Sequence, residues 1–148
     1  MTVPAEVVAP AIGQILETMY FCESFYRGKG RVREPHIGTS ITFTGAVSGV
    51  FSLEVSSALA ARLAADFLAT EPPDPGKEQI EATVSELANI ACGATIGAWQ
   101  PCSNVHFSVP HPLSDGDGAG EAEFTHCFSV NGENPEIAIK IAVSDSRE

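Results

Sequence analysis

With 148 residues and 44% hydrophobic content, the chain is long enough to bury one real core and reads as a single globular domain over 1–148. Eight Lys plus Arg against nineteen Asp plus Glu give a net charge of −11, a field that repels nucleic-acid phosphates and anionic membranes and argues against both as partners. No apolar run approaches a membrane span, and Met1 to Val8 lacks a basic region followed by an apolar stretch, so the expectation is a cytoplasmic protein.

A helix is expected from about Ala5 to Tyr26, kept apolar by Ile12, Ile15, Leu16, Met19 and Phe21. Basic, glycine-bearing residues follow from Arg27 to Arg33, then Pro35. Ile41 and Phe43 alternate with polar neighbours, Thr44-Gly45 offers a turn, and Val47, Phe51, Leu53 and Val55 continue the alternation of a hairpin. Ser56 or Ser57 can cap a short helix carrying Leu59, Leu63 and Phe67. The run Glu71-Pro72-Pro73-Asp74-Pro75-Gly76 breaks the chain and launches a long helix from Glu78 to Ala98, closed by Gln100 ahead of Pro101. Three strands follow: Asn104 to Val109, Glu121 to Val130, and Glu136 to Val143, the last with Ile137, Ile139, Ile141 and Val143 on one face. Helices with hairpins, and no regular strand-helix-strand alternation, predict an α+β fold in which antiparallel sheet layers pack with long helices as a sandwich. Helix then hairpin recurs in each half, with Glu17-Thr18-Met19-Tyr20 standing where Glu86-Leu87-Ala88-Asn89 stands in the second.

Several chemistries lack their residues. The cysteines Cys22, Cys92, Cys102 and Cys127 are widely spaced, with no pair at the two-residue gap of zinc knuckles and redox motifs, and read as free thiols. His106 alternates with Val105, Phe107 and Val109 and is expected to face solvent, whereas His126 shares a face with Phe124 and Phe128 and reads as structural. The loop Asp115-Gly116-Asp117-Gly118-Ala119-Gly120 begins like a calcium loop but has Ala119 and His126 where the fifth and twelfth ligands belong. No phosphate-cradling glycine loop, nucleophile elbow or His-Glu-x-x-His is present.

The long helix carries the positive signal. Wound at about 100° per residue, Ile80, Val84, Leu87, Ala91, Ala94 and Ala98 fall within roughly 40° of one line, a stripe that packs on a core. Glu86 and Asn89 project together from the other side, with Ala82 and Gly93 beside them. Glutamate suits a helix surface, but asparagine is a below-average helix former and glycine costs about 1 kcal/mol relative to alanine. Two such residues four apart on an exposed face call for a reason beyond helix formation.

The segment Ser85-Glu86-Leu87-Ala88-Asn89-Ile90-Ala91-Cys92-Gly93 resembles the signature of the CheC/CheX/FliY family of chemotaxis phosphatases, in which Glu, two residues, Asn and, after twenty-two more, Pro recur. Glu86, Asn89 and Pro112 match, since residues 90–111 separate the last two. The order of elements is similar to the short CheX-like members, which keep one of two active helices in a pseudo-duplicated sandwich. The family usually has Asp or Ser four residues before the glutamate, where this chain has Ala82. The resemblance implies hydrolysis of the phosphoaspartate of a CheY-like response regulator, with Asn89 positioning the attacking water and Glu86 pairing with a regulator lysine. Ala82, Gly93 and Pro112 would contact the partner. It further implies a homodimer, magnesium on the regulator, and no cofactor or metal of the chain's own. The alternative is a non-catalytic CheX-like module that docks a regulator or dimerises.

Overall fold

The computed structural model describes residues 2–68, 76–101, 103–113, 124–130 and 134–144. Their elements run α1 (Ala5–Tyr20), β1 (Phe25–Gly30), β2 (His36–Gly45), β3 (Gly49–Ser56), α2 (Ser57–Leu68), α3 (Lys77–Trp99), β4 (Val105–Phe107), β5 (His111–Pro112), β6 (Phe124–Ser129) and β7 (Ile137–Val143). Among the described residues every strand pairing is antiparallel, in the order β1-β6-β7-β3-β2-β4 with β5 also on β2. The fold is α+β, as the alternation of patterns predicts.

The expected hairpin forms β2 and β3, aligned from His36 opposite Ser56 to Phe43 opposite Gly49. That register puts Ile41, Phe43, Phe51, Leu53 and Val55 into one core with Val8, Ile12 and Leu16 of α1, Leu59 and Leu63 of α2 and the inner face of α3. Fully burying each such side chain is worth about 1.5–3 kcal/mol, so strand register and helix placement are fixed together. Ser56 caps α2: its hydroxyl accepts the Leu59 amide at 3.1 Å. Gln79 reaches back to the Gly76 amide at 3.0 Å and starts α3. The proline-rich break and the Asp115–Gly120 loop lie outside the described residues, as do Cys102 and the side chain of Phe67.

Two expectations need correction. The first helix ends at Tyr20 rather than Tyr26, because Phe21 adopts the left-handed conformation (φ 57°) and the Cys22 amide closes back on the Leu16 carbonyl at 2.9 Å. Phe21 is therefore 88% exposed instead of lining the core, and Phe25 and Tyr26 open a strand, β1, that pairs with β6. The strand expected over Asn104–Val109 is shorter, and Phe107 and Val109 lie open at the sheet edge along with the exposed His106. His126 is buried as expected, its Nδ1 2.8 Å from the Tyr26 hydroxyl and its ring bonded to the Val3 backbone. Burial lowers its pKa. Cys22, Cys92 and Cys127 are buried outside any disulfide, the Cys92 thiol pushed up to about 12 by burial.

A left-handed residue with a Cβ is strained by about 1 kcal/mol or more, so Phe21→Gly should raise stability by up to about 1 kcal/mol. The check is a urea titration: the midpoint should rise at unchanged m-value, and a fall would show that the Phe21 ring stabilises the fold despite its exposure.

Candidate functional site

Helix α3 divides cleanly into two faces. Val84, Leu87, Ala88, Ala91, Cys92, Thr95 and Ile96 are buried, and they hold the helix against α1, α2, β2 and β3. Glu86 and Asn89 are exposed on the opposite side, with Ala82 exposed and Gly93 half-buried in the same stripe. The predicted stripe is rotated slightly: Ala94 and Ala98 are exposed, and Ala88, Cys92 and Thr95 take their places. α3 lies among two helices and two strands, which widens the buried arc beyond one narrow line.

A Cβ built at Gly93 meets nothing within 4 Å. Among the described residues nothing requires glycine there, yet glycine lowers helix stability by about 1 kcal/mol relative to alanine. The bare backbone therefore sits where another molecule could come close to Asn89.

Tyr20 of α1 borders this face. It is 3% exposed, and its hydroxyl pKa is raised first by burial and second by the negative charge of Glu86. In the internal echo Tyr20 occupies the place of Asn89. Its burial means that α1 presents the exposed Glu17 without a matching polar partner three residues on. Sequence reasoning found the echo but not this contact between the halves.

The structure also brings together Ala82 and Pro112, thirty positions apart. β5 docks on β2 with Pro112 opposite Thr39, secured by the Leu113 amide on the Gly38 carbonyl at 3.0 Å and the Thr39 hydroxyl on the His111 carbonyl at 3.0 Å. Pro112 lacks an N–H to give to the ladder, which an edge position tolerates. Leu113 folds over Gly38, where an added Cβ would lie only 3.1 Å from Leu113 Cδ1. The result is a cleft of about 380 Å³ between this edge and α3, its walls including Ala82, Ser85, Glu81, Pro112, Leu113 and His36.

At one margin of the cleft His36 holds a buried acid. Its Nε2 is 3.4 Å from Glu54 Oε2, and its Nδ1 is 2.9 Å from the Glu34 carbonyl, an acceptor that places a proton on Nδ1. Burial raises the Glu54 pKa, while His36 and then Arg31 lower it. Among the described residues Glu54 Oε1 has no hydrogen-bond partner. Among the described residues no three His, Cys, Asp or Glu side chains are grouped to hold a metal ion, and no helix is long and apolar enough to cross a membrane.

Comparison with known proteins agrees with this fold. CheX of Borrelia burgdorferi, solved as a complex with CheY, BeF3 and magnesium, superimposes with a TM-score of 0.72 at 16% identity, covering 97% of this chain and 100% of that one. CheX of Vibrio vulnificus gives 0.69 at 19% identity over 93% and 97%, and FliY of Thermotoga maritima 0.55 at 13% identity over 98% and 93%. At such identities these matches establish the fold. No curated protein matches the chain significantly. A family model described as chemotaxis phosphatase CheX matches residues 37–131, well over half of the chain and spanning α3, the cleft and Pro112, and the protein therefore belongs to the CheX family.

Proposed function

We propose that the protein removes phosphate from the phosphoaspartate of a CheY-like response regulator, using Glu86 and Asn89 on the outer face of α3. The observation that carries this reading is the joint exposure of the two side chains on one rigid helix, beside a Gly93 that nothing internal explains. Membership of the CheX family supports it at the level of activity class, and the solved CheX–CheY complex from Borrelia burgdorferi supports the kind of partner.

The chemistry asks little of the enzyme. An acyl phosphate already hydrolyses in water, so the catalyst need only hold a water in line with phosphorus. A carboxamide suits that task because it both donates and accepts hydrogen bonds while remaining uncharged. Asn89 takes this role. Glu86 pairs with a lysine of the regulator and fixes the angle at which Asn89 enters its site. Magnesium belongs to the regulator in this reading, which needs no cofactor on the present chain. Ala82 and Gly93 let the partner's backbone approach, and Pro112 borders the same contact. The reading places the protein in the cytoplasm with its regulator. It includes a homodimer, for which exposed Phe25 and Tyr26 on β1 and Phe107 on β4 offer surface at the two sheet edges.

Three outcomes are expected. Asn89→Ala should slow phosphate release from phosphorylated regulators of the same cell by about 100-fold or more, with the circular dichroism spectrum unchanged because the side chain is exposed; undiminished turnover would remove Asn89 from the mechanism, and a parent protein that binds without any turnover would leave a docking module. Glu86→Ala should weaken regulator affinity roughly tenfold, read by calorimetry with the beryllofluoride-activated form, whereas equal affinity would refute the lysine pairing. Gly93→Ala should act in two directions, stabilising the isolated protein by about 1 kcal/mol through helix propensity while weakening the complex; a gain in stability with unaltered binding would show that close approach at Gly93 is not used.

A further inference from the structure

We infer that the cleft between α3 and the β5 edge is a second subsite for the regulator, one that accepts the side chain of a basic residue, with Glu81 and Ser85 setting that preference. The inference rests on the regulator-docking reading of α3 and adds a residue class that the partner must present.

The cleft has two chemical zones. Ile37, Val84, Pro112 and Leu113 give it apolar walls, and Ala82 contributes only a methyl, so the space of about 380 Å³ stays open beside the helix. The exposed Glu81 and half-buried Ser85 supply its free polar groups. Among the described residues Glu81 has no ion-pair partner within 4.0 Å. The Ser85 hydroxyl makes no hydrogen bond there either, although Thr83 and Thr18 both bond the carbonyl four residues back, at 2.9 and 2.7 Å. The other polar groups are engaged: the Thr39 hydroxyl donates to His111, and both ring nitrogens of His36 face Glu34 and Glu54.

What remains open is therefore a carboxylate that accepts and a hydroxyl that can accept or donate, set beside apolar walls. A long aliphatic stem ending in a cation matches that pairing of surfaces, since lysine and arginine lay their methylenes on apolar walls and turn the charged head to polar groups. An anionic side chain would meet Glu81 in a chain of net charge −11. An apolar one would cover the Glu81 carboxylate without pairing it. Continuity favours the regulator as the source, because Ala82 and Ser85, which line the cleft, flank Glu86 on α3, so a partner seated over Glu86 lies next to it.

The test uses the whole protein with methyl-labelled Ile, Val and Leu, titrated with N-acetylarginine methylamide and with its neutral citrulline counterpart. The arginine compound should shift the methyls of Ile37, Val84 and Leu113 at concentrations where citrulline does not, and the combined Glu81→Gln and Ser85→Ala change should erase the difference. Equal responses to the two compounds, or none at these methyls, would overturn the subsite. In turnover assays Glu81→Gln should raise KM about fivefold at unchanged kcat, whereas Asn89→Ala should lower kcat and leave the arginine-induced shifts intact. An unchanged KM in Glu81→Gln would count against the subsite alone. Arginine-specific shifts in a protein that releases no phosphate from any regulator would uphold the subsite and overturn the catalytic reading.

Discussion

The anchoring of α3 is the constraint on which the rest depends. Its inner face, from Val84 through Leu87, Ala88 and Ala91 to Ile96, is sealed against Ile41, Phe43, Phe51 and Leu53 of the β2–β3 hairpin and against α1. Each large side chain there gains about 1.5–3 kcal/mol from burial, and rotating the helix by one residue would carry that apolar stripe into water. The direction of the outer face is thereby set without any interaction of its own. Glu86 and Asn89 stay exposed because Leu87, Ala88, Ala91 and Cys92 on the other side of the helix are held in the core.

Such an arrangement suits a site that works by positioning. An amide that orders a water contributes through geometry, and geometry is only as good as the rigidity of the element that carries it. A 23-residue helix packed against two helices and two strands is a firmer mount than a loop. Gly93, one turn from Asn89, adds no side chain to the helix surface there, which in the proposed reading leaves the amide free to enter a recess in another molecule.

Much of this was legible in the sequence because it is local. The 3.6-residue periodicity of α3, the alternation of β2 and β3 and the Ser56 cap each depend on neighbours in the chain, and each is found where the pattern predicts. The errors fall where tertiary pairing outweighs local preference. Phe21 through Tyr26 continue a helical apolar pattern, yet Phe21 turns left-handed and the chain becomes β1 because β6 offers it a partner. The rotation of the α3 stripe toward Cys92 and Thr95 likewise depends on elements distant in sequence. The spacing from Asn89 to Pro112 could be counted, but not the reason for it. That reason is spatial: β5 folds back on β2, Leu113 seats over Gly38, and Pro112 arrives opposite Ala82 across the cleft.

The central claim is that the Asn89 side chain enters the acyl-phosphate site of an activated regulator. The most direct measurement is the side-chain amide resonance of Asn89 in isotopically labelled protein, followed as regulator is added with and without beryllofluoride and magnesium. The account predicts a large shift or broadening of that resonance with the activated form and little with the inactive one. An Asn89 amide indifferent to an activated regulator that demonstrably binds would contradict it.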